Sequence, residues 1–232
     1  DPDNPDAGLP ELSTILKTPE KGPWEESETI ARQRASREGK PLLIWFTDSN
    51  TSPMCKALDQ ELFKMPNFES WAKDNLVRLK VDANSSRKFD DMTLGEQEDM
   101  NIRRKAYVTD MKKRYKVLGH PTLLVLSPSG EVIGRYRGYK RGQAEFTWGQ
   151  IKQGQIVANN SYQSWRKDLE KKGYREWQDT KGRKVFAKLQ KYHEGELVFL
   201  GPDGTRSKTK ESRLSDADRA WITQQKAIRG IQ

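Results

Sequence analysis

The sequence predicts an α/β fold, a central mixed sheet flanked by helices, followed by a small, mainly β unit. Three observations predict it. Leu42-Leu43-Ile44-Trp45-Phe46 is a continuous apolar run of strand length, as expected for a strand covered on both faces. Further strand patterns alternate with helical spacing: Leu76-Val77-Arg78-Leu79-Lys80-Val81, and a hairpin of 123–126 with 132–136 around Pro128-Ser129-Gly130. Beyond about Gly173 the texture changes to short strands at 183–189 and 197–200, separated by Thr180-Lys181-Gly182 and Gly201-Pro202-Asp203-Gly204.

The remaining elements follow in order. Residues 1–22 are rich in Pro, Asp and Gly, with an apolar patch at Leu12, Ile15 and Leu16, and read as an extended arm. Helical spacing over 24–38 ends at Gly39-Lys40-Pro41. Ser52-Pro53 is a strong helix start: Ser52 can accept exposed N–H groups, and Pro53 sits where no donor is needed. That helix is expected to break near Pro66 and to be followed by a further turn or two carrying Phe68 and Trp71. Residues 82–94 read as a polar loop and 96–115 as a charged helix. A helix over 143–157 closes the first unit, and a linker with a short helix near Trp165 leads to the second. A last helix starts at Ser215 or Asp216. The expected domains are therefore an arm at 1–22, a first domain at 23–158, a linker at 159–172, a small β domain at 173–226 and a tail at 227–232.

Composition narrows the function classes. The 232 residues are 34% hydrophobic and 32% charged, enough apolar content for a core under a heavily charged surface. No apolar run approaches the roughly 18 residues of a membrane helix, so no transmembrane segment is expected. The chain starts at Asp1 rather than Met, which is consistent with a processed product and a removed signal peptide. The net charge is +9, although the first thirty residues are acidic. Lys and Arg are mostly interspersed with acids and no nucleic-acid motif occurs, so the basic surface reads as solvated rather than as a nucleic-acid site. Cys55 is the single cysteine, and the two histidines, His120 and His193, lie far apart. Neither an internal disulfide nor a Cys/His zinc site is expected. No cofactor is implied, and the oligomeric state stays open.

Phe46-Thr47-Asp48-Ser49-Asn50-Thr51-Ser52-Pro53-Met54-Cys55-Lys56-Ala57-Leu58 continues into Asp59-Gln60-Glu61-Leu62-Phe63. Together with Leu79-Lys80-Val81-Asp82, Gly119-His120-Pro121-Thr122 and the turn at Pro128, this resembles the thioredoxin superfamily over roughly 24–157. The likeness is to exported bacterial members whose active site carries Cys-x-x-Cys. The resemblance implies a thioredoxin-like fold, a cis-proline at Pro121 facing the active-site turn, and an exported location, periplasmic, secreted or envelope-associated. Three positions depart from the family pattern. Ser52 stands in place of the attacking cysteine, Thr51 in place of the usual Trp, and Trp45 near where thioredoxins keep a buried acid. The second half, Arg175-x-Trp177-x-Asp179-x-x-Gly182-Arg183, then Asp203-Gly204 and Leu214-Ser215-x-x-Asp218, resembles a small homology domain of fungal endocytic adaptors. Those domains form SH3-like barrels and bind short peptides.

Disulfide exchange needs an attacking thiolate, and a serine hydroxyl stays protonated near neutral pH with no redox couple. Ser52 therefore reads as a helix cap and Cys55 as a shielded resolving-position thiol. His120 is a candidate modulator, since an imidazole near Cys55 or Ser52 can activate either. The leading expectation is a protein without dithiol turnover that binds peptide or protein, in a chaperone-like manner, through Thr51, Ser52, Pro53, Met54, His120 and Pro121. Two rivals stand beside it: a monothiol oxidoreductase or isomerase-like enzyme using Cys55, and a scaffold binding through the basic C-terminal domain.

Overall fold

The computed structural model describes residues 8–12, 22–84 and 93–229. The chain divides into two compact units, one of residues 21–35 and 39–162, the other of 1–20, 36–38 and 163–232. No helix among the described residues is long and apolar enough to cross a membrane.

The first unit is built on a four-stranded mixed sheet. Helix α1 (Glu28–Glu38) starts at Ser27, whose hydroxyl accepts the Ile30 N–H, and ends at Gly39, which takes the left-handed conformation that closes a helix without a Cβ penalty. Strand β1 (Leu42–Thr47) is buried along its whole length. Helix α2 (Pro53–Leu58) passes into one wide π turn (Asp59–Phe63), and α3 (Pro66–Asn75) restarts with proline in its first turn. Strand β2 (Val77–Asp82), helix α4 (Leu94–Arg114), strands β3 (Thr122–Leu126) and β4 (Val132–Arg137) and helix α5 (Ala144–Lys171) complete the sequence. The sheet order is β2-β1-β3-β4, with β1 parallel to β2 and antiparallel to β3. Both sheet faces are covered, one by Ala31, Val108, Met111 and Tyr115, the other by Leu58, Phe63, Phe68, Ile151 and Ala158. That is why β1 reads as an unbroken apolar run rather than an alternation.

Two features differ from the sequence reading of this unit. Trp24 lies outside α1: Glu25 pairs with β2 instead, donating its N–H to the Arg78 carbonyl at 2.8 Å and accepting from the Lys80 N–H at 2.9 Å. Helix α5 runs unbroken through 159–171, where a linker with only a short helix near Trp165 was expected. The apolar positions Ile15 and Leu16, and residues 85–92 of the expected loop, lie outside the described residues.

The second unit holds β5 (Tyr174–Gln178), β6 (Lys184–His193), β7 (Glu196–Leu200) and β8 (Arg206–Lys210), an antiparallel sheet in chain order, then a 3-10 turn (Glu211–Arg213) and helix α6 (Asp216–Arg229). Ser215 caps α6, its hydroxyl accepting the Asp218 N–H at 3.2 Å. Its core gathers Trp177, Ala187, Leu197, Phe199, Leu214 and Ile222, and Leu12 of the N-terminal segment is buried with them. The residues quoted for the second resemblance hold this unit together. Asp218 accepts from Arg175, the Gln178 N–H and the Ser215 hydroxyl, Asp179 accepts from the Lys181 and Arg183 N–H groups, and the Trp177 indole donates to the Ala187 carbonyl.

Candidate functional site

The turn between β1 and α2 is fixed by two carboxylates. Asp48 accepts from the Thr51 N–H at 2.9 Å and the Thr51 hydroxyl at 2.5 Å. The Thr51 hydroxyl, then Asn84, then the Thr51 N–H hold the Asp48 carboxyl down at about 2. Asp82, at the end of β2, accepts from the Ser49 N–H at 3.1 Å and the Asn84 N–H at 3.2 Å. Burial pushes Asp82 upward, but hydrogen bonds from Ser49 and Asn84 with the charge of Lys80 outweigh it and leave it below its usual range. Asn50 adds a bond to the Asn84 carbonyl at 2.6 Å, which ties the turn to the chain leaving β2. Asp48, Asp82 and Asn84 are thus part of the site although the sequence reading gave them no role, Asp48 and Asp82 being quoted only within longer motifs. The available signal was Asp48 itself, an Asp directly after a buried strand and three before a Thr that can satisfy it.

Ser52 occupies the N-cap of α2, and its hydroxyl accepts the Cys55 N–H at 3.3 Å. Cys55 is 1% exposed, and its sulfur accepts the Asp48 N–H at 3.4 Å. Thr51, Pro53 and Met54 remain at the surface, Met54 with 38% of its area exposed. The helix start therefore presents Thr51-Ser52-Pro53-Met54 outward and turns the one thiol inward.

His120 precedes Pro121 in a cis peptide bond. The pairing of Phe46 with Thr122 and the Gly138 N–H bond to the Pro121 carbonyl at 2.8 Å fix this segment at the end of β3. The imidazole is half-buried. Burial is the main cause of its lowered pKa, Lys112 adds to it, and the Phe46 carbonyl, Asp48 and Asp82 act in the opposite sense without prevailing. Its Nδ1 is enclosed and has no hydrogen-bond partner among the described residues. Among the described residues the Ser52 hydroxyl is engaged with the Cys55 N–H and the Cys55 sulfur with the Asp48 N–H rather than with His120.

Behind the turn, Trp45 is buried with ring centroids 5.4 Å from Trp24 and 4.7 Å from Phe63, and the Lys80 ammonium lies 5.0 Å from its centroid. This aromatic cluster fills the interior on that side of β1 and offers no group that exchanges protons near neutral pH. No cluster of three or more His, Cys, Asp or Glu suited to a metal occurs among the described residues.

A family model described as a thioredoxin-like domain matches residues 30–148. The chain belongs to the thioredoxin-like family. Its thioredoxin-like domain has similar folds among solved structures. One is a DsbH oxidoreductase, 22% identical over 58% of this chain and 84% of that chain, with a TM-score of 0.45. Another is a thioredoxin from Thermus thermophilus, 18% identical over 56% of this chain and 87% of that one, with a TM-score of 0.41. A third is a disulphide isomerase from Xylella fastidiosa Temecula1, 17% identical over 63% and 98%, with a TM-score of 0.34. No curated protein matches the chain. Against the Cys-x-x-Cys pattern of its family, this thioredoxin-like domain has Ser52-Pro53-Met54-Cys55 and a single cysteine in the whole sequence.

Proposed function

We propose that the thioredoxin-like domain has left dithiol exchange and serves as a peptide- or protein-binding, chaperone-like module, using the surface of Thr51, Ser52, Pro53, Met54, His120 and Pro121. One observation carries this reading. The hydroxyl at the attacking position is engaged as a helix cap while the only thiol is buried one turn inside the helix. Exchange by a dithiol needs an accessible thiolate and a second sulfur to resolve the mixed disulfide. Peptide capture needs neither, and the surface residues Thr51, Pro53 and Met54 are placed for it.

The test is equilibrium binding to an unfolded protein whose thiols have been reduced and carboxymethylated, so that mixed disulfides cannot form. Saturable binding is expected, unchanged in Cys55→Ala and weakened about 3- to 10-fold in Met54→Asp, the range for loss of one apolar contact at a binding surface. Binding that appears only with thiol-bearing partners and vanishes in Cys55→Ala would favour a monothiol enzyme instead.

We also propose the domain limits 23–158 and 173–226, with an arm at 1–22, a connection at 159–172 and a tail at 227–232, and an SH3-like closure of the second sheet. Closure is supported by the pairing of Asp179, just past β5, with Leu214, just past the 3-10 turn that follows β8, through bonds of Thr180 to Arg213 and Ser215 to Gln178. Export is proposed from the residue pattern of the first domain, and fractionation of source cells tests it.

A further inference from the structure

The second unit contains a half-open cavity of about 490 Å³, lined along β6 by Lys188, Leu189, Gln190, Lys191 and Tyr192, along α6 by Trp221, Ile222, Gln225 and Lys226, and closed at one end by Gly173. It opens where the sheet changes width. Strand β5 pairs with β6 only as far as Lys188, opposite Tyr174, whereas β6 continues to His193 beside β7. The β6 segment past Lys188 thus faces α6 across a gap instead of a strand. A register shift between Leu189 and Lys191 falls within that segment.

The chemistry of the lining is two-sided. Leu189, Ile222 and Trp221 supply apolar surface, and the Trp221 ring is held by an edge contact to Trp177 at 5.2 Å and by Arg175 at 4.4 Å from its centroid. Three lysines, 188, 191 and 226, share the wall, and no carboxylate lines it. Lys226 is held by neighbours and shares its charge with one carboxylate: its ammonium donates to the Tyr192 hydroxyl at 2.5 Å and lies 3.5 Å from Glu211, which accepts from Tyr192 at 2.8 Å. The stretch of chain that carries the cavity is basic as well, with 17 Lys and Arg against 10 Asp and Glu over residues 163–232, although the N-terminal residues 1–20 of the same unit are acidic. A volume of this size accepts a small ligand or a few residues of chain. Its wall selects an apolar body, and its lysines select a negative group at the mouth.

We propose that this cavity is a binding site for a carboxylate attached to an apolar group, with the hydrocarbon against Leu189, Trp221 and Ile222 and the carboxylate between Lys188 and Lys226. The site is independent of the surface around Ser52. Two sources supply that chemistry, a free aryl or alkyl carboxylic acid and the C-terminus of a peptide ending in an apolar residue.

The test uses the full chain at low salt, with amide shift changes by NMR as the readout. The probes are 3-phenylpropionate, its uncharged amide, and the peptide acetyl-Ala-Ala-Phe with a free C-terminus. Saturable shifts confined to 188–192 and 221–226 are expected with a carboxylate probe, with a dissociation constant on the order of a millimolar for a ligand of this size. The amide is expected to bind at least about 5-fold more weakly, and salt at roughly 0.5 M to weaken the carboxylate similarly. Saturation by phenylpropionate alone identifies the free acid as the source, and saturation by the peptide alone identifies the chain terminus. Lys188→Gln is expected to weaken binding about 3- to 10-fold and Lys188→Arg to restore it, while Gln225→Glu, which adds a like charge at the wall, also weakens it. The proposal is overturned by the absence of saturable shifts with both carboxylates, by equal binding of the amide, or by unchanged affinity in both Lys188→Gln and Gln225→Glu.

Discussion

At Ser52, exchanging sulfur for oxygen removes the redox chemistry and leaves a backbone role, because the hydroxyl accepts the Cys55 N–H and satisfies a helix-terminal donor. Ser52→Ala is therefore expected to cost about 1 kcal/mol of stability, read as a lower urea midpoint at unchanged slope. His120 gives a second expectation at this scale. Its folded pKa lies below the ordinary 6.5, mainly through burial with Lys112 adding to it. The folded state then binds fewer protons than the unfolded chain just below pH 6.5. Its contribution to stability is complete above that pH and declines as pH falls toward the folded pKa. The His120 ring protons should titrate in NMR with a midpoint below 6.5, and His120→Gln should flatten the stability profile in that window. A midpoint above 6.5 would mean that Asp48 and Asp82 outweigh burial at this site.

Among the elements, those that bury one long apolar surface were legible in the sequence, and those that bury polar groups were not. Strands β1 and β3 announced themselves as apolar runs because both of their faces are covered, β2 by the alternation of Val77, Leu79 and Val81 with Arg78 and Lys80, and the cap of α2 was visible in Ser52-Pro53 alone. Strand β8 was hidden because its two inward residues are Ser207 and Thr209, between outward Arg206, Lys208 and Lys210. In β5 only Trp177 is fully buried, too little to set an alternation. Helix α5 was read as ending near Val157 with a linker beyond, yet packing through Ile151, Gly154, Ala158 and Tyr162 carries the helix past Asn159-Asn160-Ser161, whose helix propensity is poor. Gly154 shows how tight that packing is. A Cβ there would stand 2.8 Å from the Tyr136 hydroxyl and 3.2 Å from Val125, whose β-branched side chain has little room to turn. Gly154→Ala is expected to destabilise by about 1–2 kcal/mol, overpacking outweighing the roughly 1 kcal/mol gain in helix propensity. Denaturant unfolding checks the sign.

For the molecule as a whole, the family assignment and the site chemistry point to different conclusions about activity. Residues 30–148 match the thioredoxin-like domain, and the cis bond before Pro121 and the β1-turn-α2 arrangement are present. The candidate site was partly readable in advance: Ser52, Cys55, His120 and Pro121 came from the resemblance. Asp48 and Asp82 were quoted with it but given no role, and Asn84 was not singled out, because their importance lies in bonds across the sheet end that no local spacing encodes. What the fold retains is the frame, while the attacking sulfur is absent, the remaining sulfur is enclosed, and Trp45 sits in an aromatic cluster beneath. The most direct measurement of the central claim is reduction of insulin disulfides by the full chain with dithiothreitol as electron donor. The account predicts precipitation no faster than with dithiothreitol alone, and turnover well above that background, lost in Cys55→Ala, would contradict it.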